Sequence, residues 1–239
     1  MEKMNQRIER YWDARSGEFS RTRRLELGGV DGVAWKNIFR KNLPAGKLKI
    51  LDVGTGAGFF AAILSKLGHE VIGVDMSTKM LSEAEKNLRE LKLSAEFKKM
   101  NAQALDFADE TFDAVVSRNL TWTLPDVKAA YREWRRVLKN DGVLMNFDSD
   151  YGDKNFSTCT KTAIRLEQLD ECAAIKNSLS ISRRRRPSWD AGFLEGINFS
   201  VEVDEDISRA VHKDNRCAYD LVPLFAIHAR KNARFFERG

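Results

Sequence analysis

The chain has 239 residues, of which 43% are hydrophobic, 31% charged and 10% aromatic. This composition is typical of chains that fold around a hydrophobic core, so it excludes extended disorder and fibrous repeats. No apolar run approaches the roughly 20 residues that cross a bilayer. The N-terminal sequence is charged and lacks a hydrophobic signal core, so we expect a cytoplasmic protein with no membrane partner.

The net charge of +5 is unevenly distributed along the chain. Residues 1–49 carry 12 basic and six acidic side chains, residues 50–150 carry 13 and 16, and residues 151–239 carry 15 and 13. The basic excess therefore lies outside the central segment, mainly at the N-terminus and in the run Arg183–Arg186. That run indicates either a solvated basic loop or a site for an anion, such as an acidic substrate or an RNA backbone.

Cysteine and histidine are too scattered to indicate a metal centre. Cys159, Cys172 and Cys217 share no CxxC spacing, and the three histidines are equally far apart. An odd number of cysteines also argues against a disulfide framework. We therefore expect reduced, mostly packed thiols and no metal site.

The predicted elements begin with two helical patterns in residues 1–42, on either side of Gly28–Gly29. From Lys49 onward, short apolar runs alternate with helical patterns, and another helical stretch at 157–180 precedes the last two runs. The predicted strands are Lys49–Val53, Val71–Asp75, Ala95–Met100, Phe112–Val116, Val143–Asp148, Asn198–Asp204 and Phe225–Arg230. Alternation of strands and helices with short loops implies right-handed crossovers and a parallel sheet covered on both faces.

Helix signals between the strands predict several helix ends. Ser77 is a candidate N-terminal cap, Pro125–Asp126 begins another helix, and Asp141–Gly142 ends it. Ser188, directly after Pro187, predicts a capped short helix that closes an insertion over the substrate pocket.

A glycine-rich turn is the most informative segment. In ILDVGTGAGFF, residues 50–60, an apolar strand runs into three glycines and then into a helix. Glycines there allow a tight turn and the close approach of a ligand. The next strand ends at Asp75, 21 positions after Gly54, where a carboxylate can accept both hydroxyls of a ribose. The sequence predicts a nucleoside site, with a purely structural turn as the alternative.

The details of this turn favour one nucleoside over another. Dinucleotide folds use G-x-G-x-x-G, whereas this turn has G-x-G-x-G followed by Phe59. Asp52, two residues before the first glycine, would repel a pyrophosphate but suits a cationic ligand. S-adenosylmethionine (SAM) carries a sulfonium, an ammonium and one carboxylate, and the acidic balance of residues 50–150 fits it. A dehydrogenase remains the alternative.

The chain resembles the class I SAM-dependent methyltransferases of the broad small-molecule type. The matching stretches, which span about 100 residues, are LDVGTGAG (51–58), VIGVDMS (71–77), NAQALDF (101–107), FDAVVSRN (112–119) and the run from 124 to 148. FAIHARK (225–231) also resembles the closing antiparallel strand of the family.

The resemblance implies an α/β fold with a doubly wound, mostly parallel seven-stranded sheet and an antiparallel last strand. A helical N-terminal extension and a helical insertion before the last two strands complete it. We therefore predict one domain over residues 1–239. Its parts are a helical cap at 1–42, a SAM-binding core at 43–150, a helical lid at 151–195 and closing strands at 196–239.

The resemblance also implies the residues that bind the cofactor. Asp52, Gly54, Thr55, Gly56 and Gly58 match positions that bind the methionine end of SAM. Asp75 matches the position that binds the ribose, and Met76, Asn101 and Ala102 match those that contact the adenine. Asn101 departs from the usual acid, but its amide oxygen can still accept from an exocyclic amine.

Two further segments complete the implied cofactor site. Arg118 stands where the backbone commonly meets the methionyl ammonium. Tyr11 and Arg15, with Trp12 and Asp13 between them, resemble an aromatic cap over the cofactor. A helix packing face explains the same N-terminal pattern.

The acceptor should lie beyond the carboxyl ends of the fourth and fifth strands, near Asn119, Thr121, Trp122, Asp148 and Tyr151. Methyl transfer mainly needs an aligned nucleophile and the exclusion of water. Asp148 is the candidate base or substrate orienter, with a loop-capping carboxylate as the alternative. Trp122 is the candidate aromatic wall near the methyl group, or a packing residue.

The leading hypothesis is a SAM-dependent methyltransferase that acts on a small molecule and releases S-adenosylhomocysteine. The basic flanks favour an anionic acceptor. An RNA methyltransferase is less favoured, because Arg118-Asn119-Leu120-Thr121 replaces the N-P-P-aromatic motif of enzymes that methylate base amines. A third hypothesis is a module that binds the nucleoside without catalysis.

Overall fold

The computed structural model describes residues 2–154, 166–212 and 222–233. Cys159, Cys217 and the first part of the predicted helical stretch at 157–180 lie outside these ranges. Within them, no helix is both long and apolar enough to cross a membrane.

Helices and strands alternate along the described chain. The helices are α1 (Glu2–Gly28), α2 (Val30–Asn42), α3 (Phe59–Lys66), α4 (Thr78–Glu90), α5 (Val127–Val137), α6 (Leu166–Ser178), α7 (Ser188–Gly196) and α8 (Ser208–Val211). The strands are β1 (Lys49–Val53), β2 (Glu70–Asp75), β3 (Glu96–Lys99), β4 (Phe112–Arg118), β5 (Leu138–Ser149), β6 (Phe199–Asp204) and β7 (Leu224–Lys231). Short 3₁₀ turns lie at Thr121–Thr123 and Ser180–Arg183.

The strands form one seven-stranded sheet in the order β3-β2-β1-β4-β5-β7-β6. The first five strands are mutually parallel, and β7 is antiparallel to both β5 and β6. The predicted fold class is therefore confirmed. The order reverses between β1 and β4, and that reversal creates a crevice at their carboxyl ends.

Consecutive residues of the central strands point into different hydrophobic layers. On β1, Ile50 packs in one buried cluster with Trp35 and Phe60, and Leu51 packs in another with Trp134. A strand buried on both faces needs apolar residues at every position, which is why continuous apolar runs predicted these strands well.

Two local predictions need correction. Helix α5 ends at Val137, and Asp141–Gly142, predicted to end it, lie inside β5. The β4–β5 register shifts between Phe112 and Ala114, and Asp141 has φ 61°, so the extra residues of β5 bulge out of the ladder. Helix α7 does begin at Ser188, but no side chain caps it.

Helix α1 crosses the carboxyl edge of the sheet and is held there by two contacts in its first half. The Asp13 carboxylate accepts from the Ser77 hydroxyl at 2.5 Å, and the Ser77 oxygen in turn accepts from Met80 N at the start of α4. Arg7 forms a two-pronged ion pair with Glu171 of α6. The helix therefore forms a roof over the crevice between β1 and β4.

Candidate functional site

A cleft lies at the reversal of strand order, between the carboxyl ends of β1, β2 and β4 and the underside of α1. Most of its walls are apolar. The residues that line it include Ile8, Trp12, Phe19, Val74, Met76, Met80, Met100, Leu120 and Leu124. Polar walls come from Asn5, Asp75, Arg118 and Asn119.

Two glycines shape the floor of the cleft. Gly54 and Gly56 adopt φ of 69° and 54°, a region that other residues seldom enter. A Cβ on Gly54 would lie 2.8 Å from a methyl carbon of Leu120, and one on Gly56 would lie 3.2 Å from the Phe19 ring. The turn therefore needs glycine for both its conformation and its space.

A carboxylate lies beneath this turn and another lies beside it. One oxygen of Asp52 accepts from the Thr55 hydroxyl at 2.6 Å and from Ala61 N at 3.1 Å. Asp75 accepts from Gly56 N and Ser77 N, each at 2.9 Å. Burial raises the pKa of Asp52 to about 7 and that of Asp75 to about 6, although these hydrogen bonds oppose the rise.

A smaller pocket adjoins the cleft beside Gly54 and is lined by Asp52, Arg23 and Arg118. Arg118 pairs with Glu26 of α1 at 2.7 Å, and Arg23 pairs with the same carboxylate. Burial alone would raise the pKa of Glu26, but Arg118 and Arg23 outweigh it and hold the pKa at about 2. The pocket thus presents two guanidinium groups partly neutralised by one buried carboxylate.

Two amide oxygens in the cleft are buried without a hydrogen-bond donor in the described part of the chain, Asn5 Oδ1 and Asn119 Oδ1. The backbone of Asn119 is fixed, since its N–H donates to Phe147 O at 2.8 Å and its carbonyl accepts from Trp122 Nε1 at 3.1 Å. Its φ of 52° is uncommon for any residue but glycine. A buried acceptor without a donor costs about 1–3 kcal/mol, so a ligand that donates there is favoured.

Comparison with known proteins finds a similarity over the central part of the chain. A family model described as a methyltransferase domain matches residues 51–146, which include the glycine turn, Asp75 and Arg118. This part of the chain is therefore similar to a methyltransferase domain.

Individual methyltransferases are similar to part of the chain. The chain is 36% identical over 101 residues to the uncharacterized methyltransferase YcgJ of Bacillus subtilis, covering 42% of this chain and 40% of that protein. It is 34% identical over 138 residues to the demethylmenaquinone methyltransferase of Thermotoga maritima, covering 57% and 58%. The chain thus spans well under two thirds of either relative.

The likeness in fold extends further along the chain than the likeness in sequence. A SAM-dependent methyltransferase structure from Aquifex aeolicus superposes with a TM-score of 0.63 over 91% of this chain and 97% of that one, at 20% identity. At that identity the superposition supports the fold alone.

Nine of the twelve predicted cofactor residues fall into three groups. Those that line the cleft are Gly54, Gly56, Asp75, Met76, Ala102 and Arg118, while Asp52 and Thr55 line the smaller pocket. Gly58 lies apart from both, because a Cβ there would meet Ala84 and Leu88 of α4 at 3.0 Å. Its glycine serves the packing of α4.

Three predicted cofactor residues are directed elsewhere. The Asn101 oxygen, expected near adenine, accepts from the backbone and side-chain nitrogens of Gln103, each at 3.0 Å. Tyr11 is buried in the core and its hydroxyl accepts from Arg15 at 2.8 Å. Arg15 lies over the Tyr11 and Trp12 rings. Trp12, which lies between them in the predicted aromatic cap, does line the cleft, and its ring meets the Phe19 ring edge to face at 5.6 Å.

Sequence reasoning missed Phe19 and Asn5, and one signal pointed to them. Asn5, Ile8, Trp12 and Phe19 recur at helical spacings of three, four and seven on α1. That stripe places all four on the face toward the cleft. Leu120 and Met100 had no comparable signal, because each follows a strand in an irregular segment.

The two candidate catalytic residues lie behind the cleft rather than on its wall. Asp148 is fully buried and accepts from the Thr121 hydroxyl, from Trp122 N at 3.1 Å and from Arg186 at 3.4 Å. Burial raises the pKa of Asp148, with Arg186 and Thr121 opposing the rise. Trp122 packs on Tyr151 at 5.0 Å. These hydrogen bonds make Asp148 a cap of the 3₁₀ turn after β4, and a catalytic role for Asp148 or Trp122 stays a prediction.

The contacts around Asp148 belong to a larger buried network centred on Arg186. Arg186 donates twice to Asp190, at 2.8 Å each, and once to Thr121 at 2.6 Å. Asp190 also accepts from the Tyr131 hydroxyl at 2.6 Å. One guanidinium thus joins the end of β5, the 3₁₀ turn after β4 and helix α7.

One group in the described chain has the spacing of metal ligands. Oxygen and nitrogen atoms of Glu26, Asp31 and His212 lie within 4.8 Å of one another. Arg23 and Arg118 already pair with Glu26, and a cation there would face both guanidinium groups. The electrostatics of this cluster therefore oppose a metal.

Replacing Arg186 tests the network directly. We expect Arg186→Ala to lower the free energy of unfolding by about 3–5 kcal/mol, because it leaves Asp148 and Asp190 buried without their cation. The exposed neighbour Arg184 provides the matched control, and Arg184→Ala should change stability by less than about 0.5 kcal/mol. Urea unfolding followed by circular dichroism measures both. Equal unfolding midpoints for the two variants would contradict the structural role of Arg186.

Proposed function

We propose that the protein transfers the methyl group of SAM to a small-molecule acceptor and releases S-adenosylhomocysteine. The observation that carries the proposal is the glycine turn with Asp75 and two donor-less amide oxygens in one cleft, within a matched methyltransferase domain. When bound, SAM supplies a methyl group activated by its sulfonium.

The residues present fit this cofactor. Asp75, Met76 and Ala102 all line the cleft, and we expect Asp75 to accept from the ribose hydroxyls and the other two to flank the adenine. Donor groups of SAM, its exocyclic amine, hydroxyls and ammonium, suit the oxygens of Asn5 and Asn119. Its carboxylate suits the guanidinium groups of the smaller pocket.

A small-molecule acceptor has more support than a macromolecule. The T. maritima relative is named for demethylmenaquinone, a small molecule. The walls of the cleft are largely apolar, and four arginines of α1 are paired with glutamates rather than presented to a polyanion. Neither the comparisons nor the geometry support RNA methylation or a non-catalytic module. We also propose, as the sequence predicts, that the acceptor is anionic and that the protein is cytoplasmic.

Two measurements test the proposal in sequence. Titration calorimetry with SAM and S-adenosylhomocysteine should show micromolar binding to the full chain. Transfer of a labelled methyl group from SAM is then assayed against small-molecule, protein and RNA fractions of a cell extract. Label in the small-molecule fraction supports the proposal, label in RNA favours the alternative, and absence of SAM binding would falsify both.

The variant Asp75→Asn tests whether the Asp75 carboxylate contributes to SAM binding. Loss of the carboxylate should weaken SAM binding at least tenfold, because a charge-assisted hydrogen bond to the ribose is worth roughly 1.5–3 kcal/mol. Asp106→Asn removes an exposed carboxylate outside the cleft and should leave the affinity unchanged. Calorimetry on both variants decides, and equal affinities would remove Asp75 from the site.

SAM affinity should depend on pH through the carboxylates near the turn. Asp52 and Asp75 have pKa values of about 7 and about 6 in the free protein, and a cationic ligand binds their ionised forms better. Affinity should therefore fall roughly tenfold between about pH 7.5 and pH 6.

Asp52→Asn should flatten this dependence and weaken binding at about pH 7.5. The folded-state pKa of Asp52 lies above its unfolded value, so its ionisation destabilises the free protein as pH rises from about 4 to about 7. The variant should therefore be more stable than the parent at pH 7.5 while binding SAM less tightly. Thermal unfolding and calorimetry check both signs, and a variant that loses stability as well would contradict this account.

A further inference from the structure

A second opening lies at the carboxyl edge of the sheet, on the side of β5 and β7. We call it the arginine groove and define it by Asp150, Lys154, Arg183, Arg184, Arg185 and Phe225. It shares no lining residue with the cofactor cleft. The methyltransferase chemistry proposed above makes no use of it.

The wall that follows β5 is fixed by a buried lysine. Lys176 of α6 donates to the carbonyl oxygens of Tyr151, Gly152 and Lys154 at 3.0, 2.7 and 2.7 Å. Three charge-assisted hydrogen bonds to successive parts of one loop hold its backbone in place. Lys154 therefore projects from a fixed position.

The opposite wall is fixed by the buried member of the arginine run. Arg186 N donates to Asp150 at 3.1 Å, and the Arg186 guanidinium lies over the Phe225 ring at 5.0 Å and pairs with Asp190. Because Arg186 anchors the chain, the three arginines before it share one attachment point at the rim of the groove.

These three arginines give the groove its charge. Arg183, Arg184 and Arg185 are exposed, and none forms an ion pair within the described ranges of the chain. The Asp150 carboxylate already accepts from Arg186 N and Gly152 N.

The residues that line the arginine groove carry a net positive charge. Among the residues that line the groove, the five basic ones, Lys154 and Arg183–Arg186, outnumber the three acidic ones, Asp150, Asp153 and Glu205, by two charges. A ligand with two negative charges would balance this excess.

We propose that the arginine groove binds a phosphate group carried by a small molecule. The guanidinium fork matches phosphate oxygens in pairs, and a phosphate monoester is close to a dianion at neutral pH. A polynucleotide is a poorer fit, because four of the six arginines of α1, Arg7, Arg15, Arg23 and Arg24, are paired with acids. The site stands whether or not the protein binds SAM.

Calorimetry of the full chain with inorganic phosphate and with pyrophosphate, at about pH 7.5 and constant ionic strength, tests the site. The variant R183A/R184A/R185A should bind pyrophosphate at least tenfold more weakly than the parent. The matched control is R40A/K41A/K47A, which removes three exposed charges before β1, at the amino edge of the sheet. The control should bind pyrophosphate like the parent, and both variants should keep the parental melting temperature.

A charge-preserving variant distinguishes arginine geometry from charge alone. R183K/R184K/R185K should bind pyrophosphate roughly threefold more weakly than the parent but more tightly than the alanine variant, because lysine keeps the charge without the paired fork. Equal binding by the parent and the alanine variant, or the absence of pyrophosphate binding by the parent, overturns the proposal. Single-stranded RNA that binds the groove and resists displacement by pyrophosphate overturns it as well, in favour of a polynucleotide.

Discussion

Two buried carboxylates hold the glycine turn, and the rest of the site depends on them. Asp52 ties the turn to the start of α3 through Thr55 and Ala61, and Asp75 ties it to the start of α4 through Gly56 and Ser77. Burial makes both carboxylates costly to ionise, as their raised pKa values show. A cationic ligand above them offsets that cost, so the local instability of the turn and its affinity for such a ligand have one physical origin.

Helix α1 covers the glycine turn and contacts the residues around it. It lays Phe19 over Gly56, pairs Glu26 with Arg118 at the end of β4, and bonds Asp13 to Ser77 at the start of α4. The roof of the cleft is thus attached to the residues that form its floor. A ligand that contacts the floor must therefore share contacts with α1, so binding and the position of this helix are coupled.

The sheet could be predicted from sequence because its strands are buried on both faces and read as apolar runs. β5 is the exception at its start, since Leu138 continues the helical spacing of α5 and the charged residues after it lack a strand signature. They enter the strand through the bulge opposite β4, which only the tertiary pairing creates. Local sequence defined Gly54, Gly56 and Asp75, because the two glycines directly follow the apolar run of β1 and Asp75 ends that of β2.

Side chains whose partners are distant in sequence could not be assigned in this way. Asp148 reads as a catalytic candidate by position, but its role depends on Arg186, 38 residues later. The sequence predicts Asn101 beside the adenine, but its side-chain oxygen accepts a hydrogen bond from Gln103, only two residues later. A polar side chain at a strand end therefore indicates a ligand site only when no hydrogen-bond donor or cation of the protein itself already pairs with it.

The four consecutive arginines differ in burial because of tertiary structure: Arg186 is buried, and the three before it are exposed. Arg186 lies four positions before Asp190, a helical spacing visible in the sequence, but its burial also requires Asp148 from β5 and Phe225 from β7. Once Arg186 is buried, the backbone beside it is fixed and the other three side chains project from a rigid wall. Repulsion among three neighbouring cations would extend and disperse them on a flexible loop. Held on a rigid wall, they lose less freedom when they close on an anion, so part of the entropic cost of binding is met during folding.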